Sequence, residues 1–394
     1  MSRIIFHIDV NNAFLSWSAV YLLKNGYDCD IRTIPSVIAG DEELRHGIVL
    51  AKSSIAKKYG VNTAEPLFMA RKKCPKLQVF SPNYDFYYQK STELMEYLSQ
   101  YTPIIEQFSV DECFLDFTNT KYLYDDVLSL AYKIKNEIKE KFGYTVNIGI
   151  ANSKLCAKMA SDFEKPDKVH TLMDDEITTK MWPIQVSELL FVGSKASLKL
   201  KELGINTIGD LANSSPEFLY KYFKNRAYDM IASAKGIDNS LVCSNTSKNK
   251  CISASRTLIE DTKDLTILKK NLLDMCNLLC IRARRDKVYA NVLAITLKTK
   301  DFRDLSHQKK LSNATNNTIE IYQEIMNLLD NLNITIPIRN IGMRLGDLQK
   351  DKKEQMSLFN KKDSQDDKIM KIMDDINLKY KETKIMPAIF YKNK

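Results

Sequence analysis

The sequence predicts an α+β protein of several domains, in which two separate stretches each build a βαβ-type sheet with helices packed on it. Three observations carry that expectation. The chain has 394 residues and 44% hydrophobic content, enough for several cores rather than one. Its first half runs strand, helix, strand, strand, helix, strand, the order of a split βαβ sheet. After a stretch rich in Asn, Ser, Thr and Lys at 238–252, which reads as a linker, the pattern repeats in kind.

The first strand covers residues 4–9 and ends in an acid, Asp9. Residues 12–24 read as a helix, with Phe14, Trp17 and Tyr21 at i, i+3, i+7 spacing. Val37–Gly40 and Gly47–Ala51 read as short strands, and Ser53–Tyr59 as a short helix stopped by Gly60. Asn83–Tyr101 is an amphipathic helix by the recurrence of Tyr87, Leu94, Tyr97, Leu98 and Tyr101. A strand follows over 109–117, then a helix marked by Val127, Ala131, Ile134, Ile138 and Phe142 and closed by Gly143. Val146, Ile148 and Ile150 alternate as a strand, and Ser153 can cap the next helix. Beyond the linker come a helix near 264–285, a strand over 289–298, a turn at 301–303 and strand-like residues 305–311. A helix over 317–330, a strand over 338–345 and a short tail helix near 366–380 complete the reading.

The chemistry concentrates in Ser109-Val110-Asp111-Glu112-Cys113-Phe114-Leu115-Asp116-Phe117, where two acids stand side by side. Neighbouring side chains of an extended strand point to opposite faces, so Asp111 and Glu112 can serve one site only where the backbone bends. Asp9 ends a strand of its own, and the two strand ends could meet in one sheet. Three convergent carboxylates repel one another unless a cation sits among them, and hard oxygen ligands suit Mg²⁺.

There are 58 Lys+Arg against 49 Asp+Glu, a net charge of +9, and residues 244–350 hold 18 basic and 11 acidic residues of that total. A basic segment of this size fits a surface that tracks phosphates. The eight cysteines are scattered with no metal spacing, which points to a reduced, cytoplasmic protein. Cys276 and Cys280, one helical turn apart, read as core packing. No stretch approaches the roughly 20 apolar residues needed to span a bilayer.

His7-Ile8-Asp9-Val10-Asn11-Asn12-Ala13-Phe14-Leu15-Ser16 together with Ser109-Val110-Asp111-Glu112 resembles the two catalytic motifs of the Y-family (translesion) DNA polymerases. The resemblance runs through nearly the whole chain. It implies a right-hand polymerase: a ferredoxin-like palm (1–29 and 79–175), small fingers (30–78), a helix-hairpin-helix thumb (176–240), a linker (241–252) and a βαβ-type little finger (253–349). A tail follows over 350–394.

By this resemblance Asp9, Asp111 and the backbone carbonyl of Val10 hold the Mg²⁺ bound to the triphosphate. Asp9, Asp111 and Glu112 share a second ion at the primer 3′-hydroxyl. Phe14 becomes the steric gate against the 2′-hydroxyl; Ala13 stands where many members carry another aromatic. Ser54 and Lys57 take the places of a Tyr and an Arg that hold the triphosphate, and lysine lacks the bidentate fork. Lys165, in a lysine-proline turn, faces the triphosphate too. In the thumb, Val192-Gly193-Ser194-Lys195 offers Gly193 and Lys195 to a DNA phosphate, with Ser194 replacing the usual second glycine. Arg256, Arg284, Arg303, Arg339 and Arg344, with Arg282, Arg285 and Lys298, are the little finger's candidates for DNA contact. Gln355-Met356-Ser357-Leu358-Phe359 resembles the motif that binds the bacterial sliding clamp (its β subunit), with Gln355, Met356, Leu358 and Phe359 as anchors.

The implied function is template-directed nucleotidyl transfer of low fidelity and low processivity by a monomer away from any membrane, on primer-template DNA with deoxynucleoside triphosphates. Two other readings stay open. One is a DNA-binding repair accessory protein with a weakened polymerase site, favoured by Ala13, Ser54 and Lys57. The other is a two-metal nuclease using the same acids.

Overall fold

The structure is a computed structural model and describes residues 2–43, 45, 47–244, 250–350, 364–380 and 385. Contacts divide the chain into two compact units, residues 1–41 with 47–246, and residues 42–46 with 247–394.

The first unit opens with β1 (Ile5–Val10), buried at every position, as a central strand covered on both faces must be. α1 (Ala13–Lys24) follows directly. β2 (Ser36–Ala39), β3 (Val49–Lys52) and α2 (Ser54–Lys58) come next, the helix capped by the Ser53 hydroxyl accepting from the Ala56 N–H. α3 (Leu67–Lys73) and β4 (Gln78–Phe80) were not legible in the sequence. α4 (Tyr84–Leu98) starts on the Asn83 cap, and β5 (Ile105–Gln107) and β6 (Glu112–Asp116) form a hairpin. α5 (Val127–Phe142) stops at Gly143, whose φ of 77° suits a residue without Cβ. β7 (Val146–Ala151), α6 (Lys154–Asp162, capped by Ser153) and β8 (Val169–Leu172) close the catalytic-motif region.

Four short helices follow: α7 (Ser194–Glu202), α8 (Ile208–Ala212), α9 (Pro216–Phe223) and α10 (Arg226–Ala234). The expected hairpin residues Gly193 and Ser194 stand at the start of α7; α7 and α8 are joined by a turn at Gly204 (φ 81°), and Thr207 with Asp210 makes a capping box.

The strand order is β5-β6-β1-β7-β8, with β1 antiparallel to both β6 and β7. One face packs on α1, α4 and α5 through Trp17, Leu94, Ile134 and Ile138, and the other on α6 and the helices after it through Ile5, Phe114 and Ala157. Gly149 lets α6 lie directly on β7. A Cβ there would stand 1.9 Å from the Ala157 carbonyl oxygen and 2.5 Å from the Ser161 nitrogen. A smaller sheet, β3-β2-β4, sits beside this core.

The second unit contains β9 (Cys251–Thr262), α11 (Leu265–Arg285), β10 (Tyr289–Thr299), β11 (Asp304–Thr315), α12 (Thr318–Asp330), β12 (Ile338–Gln349) and α13 (Ser364–Lys379). The sheet order is β11-β10-β12-β9, antiparallel throughout. Ile341, Met343 and Leu345 face α11 and α12, while Asn340, Gly342 and Arg344 alternate onto the uncovered side. Cys276 and Cys280 are buried with their sulfurs 4.0 Å apart, so they are core residues.

One boundary differs from the sequence reading. The linker was expected to run to residue 252, but β9 already begins at Cys251 and extends to Thr262. Its residues are mostly polar and half exposed, which conceals a strand whose stability comes from pairing with β12.

Candidate active site

The site is built where β1 and β6 end side by side. His7 and Asp9, two residues apart on β1, share a face. Asp9 stands opposite Glu112 on β6 and opposite Asn147 on β7. The backbone bends just before β6: the Phe108 and Ser109 N–H groups both donate to the Glu112 carbonyl, at 3.0 and 3.1 Å, and the Val10 N–H donates to the Asp111 carbonyl at 3.1 Å. That is the bend the adjacent acids required.

Asp9 and Glu112 face each other as register partners across β1 and β6. Asp9 is only 7% exposed. Burial pushes its carboxyl up to about 7, against the pull of the Lys165 ammonium and with the push of Glu112. Burial acts on Glu112 in the same direction, but the hydrogen bond and charge of the Lys158 ammonium override it and hold the carboxyl below its ordinary range.

Two lysines supply the compensating charge. Lys158 Nζ on α6 lies 2.7 Å from Glu112 Oε1, and Lys165 Nζ lies 2.9 Å from Asp9 Oδ2 and 2.7 Å from Asp162 Oδ1. One turn before Lys158, Lys154 pairs with Glu106 of β5 at 2.6 Å, so α6 is ion-paired to both hairpin strands. His7 is fully buried, and burial lowers its pKa. Its Nδ1 lies 2.8 Å from the Ser161 hydroxyl, whose own proton goes to the Lys158 carbonyl. Nδ1 is therefore the donor, and the bare Nε2 faces Glu112 Oε2 at 3.8 Å.

Asp111 is not drawn into this pair; its Oδ1 accepts from the Ser109 hydroxyl at 2.6 Å. Among the described residues no three His, Cys, Asp or Glu side chains form a ready metal-ligand group. The donor chemistry nonetheless fits a hard divalent cation. Two carboxylates, Asp9 buried and Glu112 half-buried, stand on adjoining strands, each already drawing an ammonium to it, and a third lies at the adjoining bend.

Phe14 is the partly exposed member of an otherwise buried stretch of α1. Its ring stacks on Tyr87 with centroids 4.8 Å apart and an interplanar angle of 18°, and it meets Tyr84 edge-on at 6.4 Å. The ring is thus braced rather than enclosed. Ser54 and Lys57 lie exposed on α2. The Asn12 amide, donating to the Lys52 carbonyl at 2.6 Å, ties the end of β1 to the strand that leads into that helix.

Gly193 and Lys195 lie exposed at the start of α7, and a Cβ on Gly193 would meet nothing within 4 Å. In the second unit Arg344 reaches Gln308 Oε1 at 3.2 Å on the uncovered sheet face. There Ser253, Ser255, Thr296, Lys298 and Asn340 line a trough of about 830 Å³. Arg256 pairs loosely with Asp274 at 3.5 Å, Arg339 lies 3.4 Å from Asp261 and over the Phe302 ring, and Arg303 is exposed in the turn after β10.

Arg284 departs from the expected role. Its guanidinium grips Asp374 of α13 in a bidentate pair at 2.6 and 2.9 Å and also donates to the Asn316 carbonyl and the Thr318 hydroxyl. A guanidinium so occupied and only 13% exposed fastens α13 to α11 rather than facing a phosphate. The clamp-motif residues Gln355, Met356, Leu358 and Phe359 lie outside the described residues.

Sequence reading missed His7, Lys158, Asn11 and Asn147, all of which shape the site. His7 carried a usable signal, since it alternates with Asp9. The others meet their partners only through tertiary packing.

A profile of the impB/mucB/samB family matches residues 8–162, and that family's C-terminal domain matches residues 249–358. The chain is 44% identical over 390 residues to DNA polymerase IV of Clostridium acetobutylicum, covering 99% of this chain and 98% of that one. It is 38% identical to DNA polymerase IV of Alkaliphilus oremlandii (98% and 99% covered) and 32% identical to DNA polymerase IV 1 of Bacillus subtilis (96% and 91%). Its fold superposes on the Y-family DNA polymerase chimera Dbh-Dpo4(243-245)-Dbh with a TM-score of 0.77 and 23% identity, over 88% of this chain and 99% of that one. With its carboxylates, its sheet order and its full-length relatives in agreement, the chain belongs to the Y-family DNA polymerases.

Proposed function

We propose that this protein extends primers on damaged DNA templates, at low fidelity and low processivity, by two-metal nucleotidyl transfer. The carrying observation is the Asp9–Glu112 register pair at adjoining strand ends, with Lys165 on the first carboxylate and Lys158 on the second. Asp9, Asp111, Glu112 and the Val10 carbonyl would hold two Mg²⁺ ions, which when bound offset the charge of the triphosphate and lower the pKa of the primer 3′-hydroxyl.

The chain's own residues do the rest. Lys165 supplies positive charge to the triphosphate, with Lys57 as a second, exposed arm and Ser54 as a hydroxyl beside it. Lys158 keeps Glu112 ionised, so that it is ready to act as a ligand. Phe14, braced by Tyr87, presents its ring where a 2′-hydroxyl would stand. Gly193, Lys195, Arg344 of the second unit's open sheet face and the exposed Arg256 and Arg303 contact the DNA backbone without reading sequence. The segment 355–359 tethers the enzyme to the sliding clamp, raising its effective concentration at the primer end.

The test is primer extension on a gapped template with Mg²⁺. Extension that is present in the native protein and abolished in Asp111→Ala is the expected result. Strand cleavage without added nucleotides would mark a nuclease instead, and DNA binding with no extension an accessory protein.

A further inference from the structure

Lys165 sits in a turn whose backbone is held on both sides by two asparagines. The Asn147 amide donates to the carbonyls of Ser161 (2.9 Å) and Glu164 (2.7 Å), and its oxygen accepts from the Lys168 N–H at 3.2 Å. That oxygen also accepts from the Asn11 amide at 3.0 Å, while the Asn11 oxygen accepts from the Asp167 N–H at 2.9 Å. The Glu164 carbonyl and the Asp167 and Lys168 N–H groups thus bracket Lys165, and Asn147 uses two donors and two acceptor sites to do it.

Neither amide competes with much water, since Asn147 is 0% and Asn11 7% exposed. Both come from the strands that build the carboxylate site. Asn147 is the register partner of Asp9, and Asn11 follows Asp9 by two residues. The far side of the turn is pinned by the Asp167 carboxylate, which bridges Lys135 and Lys139 of α5 at 2.7 Å each.

We propose that Asn11 and Asn147 are positioning residues that set where the Lys165 ammonium meets the triphosphate of the incoming nucleotide. The proposal rests on the assignment of Lys165 to the triphosphate. A lysine is a point charge on a flexible stem, so its reach is decided by where its backbone is fixed. Misplacement of a binding group by about 1 Å can cost on the order of a hundredfold. Because both asparagines grow from the strands bearing Asp9, carboxylates and ammonium are registered to one scaffold.

The experiment measures equilibrium binding of a non-hydrolysable deoxynucleotide analogue to the enzyme on a dideoxy-terminated primer-template with Mg²⁺. The variants are Lys165→Ala, Asn147→Ala, Asn11→Ala and the doubles with Lys165→Ala. Lys165→Ala is expected to weaken nucleotide binding about tenfold, and each asparagine variant about threefold or more, with primer-template affinity unchanged. Removing either amide in the Lys165→Ala background is expected to cost nothing further. If the amide variants weaken nucleotide binding by the same factor with or without Lys165, or do not weaken it at all, the positioning role is overturned. Should Asn147→Ala fail to fold, Asn11→Ala at the edge of the network carries the same cycle. Lys165→Ala that leaves nucleotide affinity untouched removes the triphosphate assignment, and the proposal with it.

Discussion

The two larger sheets of this protein resemble each other in plan and differ in cover. The five-stranded sheet is packed on both faces, and its central strands β1 and β7 are buried throughout. Among the described residues the four-stranded sheet is packed on one face, leaving Asn340, Arg344, Lys298 and their neighbours in an open trough. Cover decides what charge can do. Under α6, Asp9 and Glu112 are drawn out of water, so their charges must be matched one by one by Lys165 and Lys158. On the open face each charge is solvated and screened, suited to adding small, interchangeable contacts with a polyanion. In the function proposed, the first arrangement would fix the position of reacting groups and the second would grip without choosing.

The sharpest way to break the covered sheet is Gly149→Ala. The new Cβ would collide with backbone of α6 on which Lys158 and Ser161 ride, so a loss on the order of 4 kcal/mol is expected in denaturant unfolding, together with lost extension. Stability within about 1 kcal/mol of the native protein would show that α6 does not need this close seat. Phe14→Ala keeps the fold and sharpens the same comparison. Discrimination against ribonucleotides should fall by about a hundredfold, read as the ratio of kcat/KM values, and unchanged sugar selection would refute the gate.

The open face should respond additively. Arg344→Ala is expected to reduce the slope of log affinity against log salt by about 0.9, the signature of one lost phosphate contact. Arg284→Ala should leave that slope alone and cost about 2 kcal/mol of stability in the second unit, because it loosens α13. A reversed outcome would mean the two arginines had been assigned to each other's roles.

The smallest expected effect is on pH. Burial pushes the Asp167 carboxyl up, but Lys135 and Lys139 outweigh it and hold it below its ordinary 3.8. A depressed folded pKa means its stabilisation is fully present above that value and is lost as pH falls through the folded pKa. The acid limb of the Tm–pH curve should therefore flatten in Asp167→Asn, while the two curves run parallel near neutrality.

Much of the architecture was legible because its signals are local. Ser53, Asn83 and Ser153 cap helices by bonding N–H groups two or three residues on, and Gly143 ends one by adopting a left-handed φ. The acids at 111 and 112 demanded a bend, and the bend is there. β9 was not legible, because its edge position leaves it polar and only its pairing with β12 makes it a strand. Arg284 looked like its neighbours in a basic run, and nothing near it in sequence announces Asp374.

From its residues alone the chain determined most of its helices and strands, its two larger sheets and the acids at two strand ends, since caps, periodicity and strand alternation act over a few residues. Only the tertiary structure decided which charges meet: Lys158 with Glu112, Lys165 with Asp9, Asn147 with the lysine turn, and Arg284 with Asp374. Those partners are chosen by burial, because a desolvated charge or amide takes whatever complementary group the packing brings to it, at any distance along the chain.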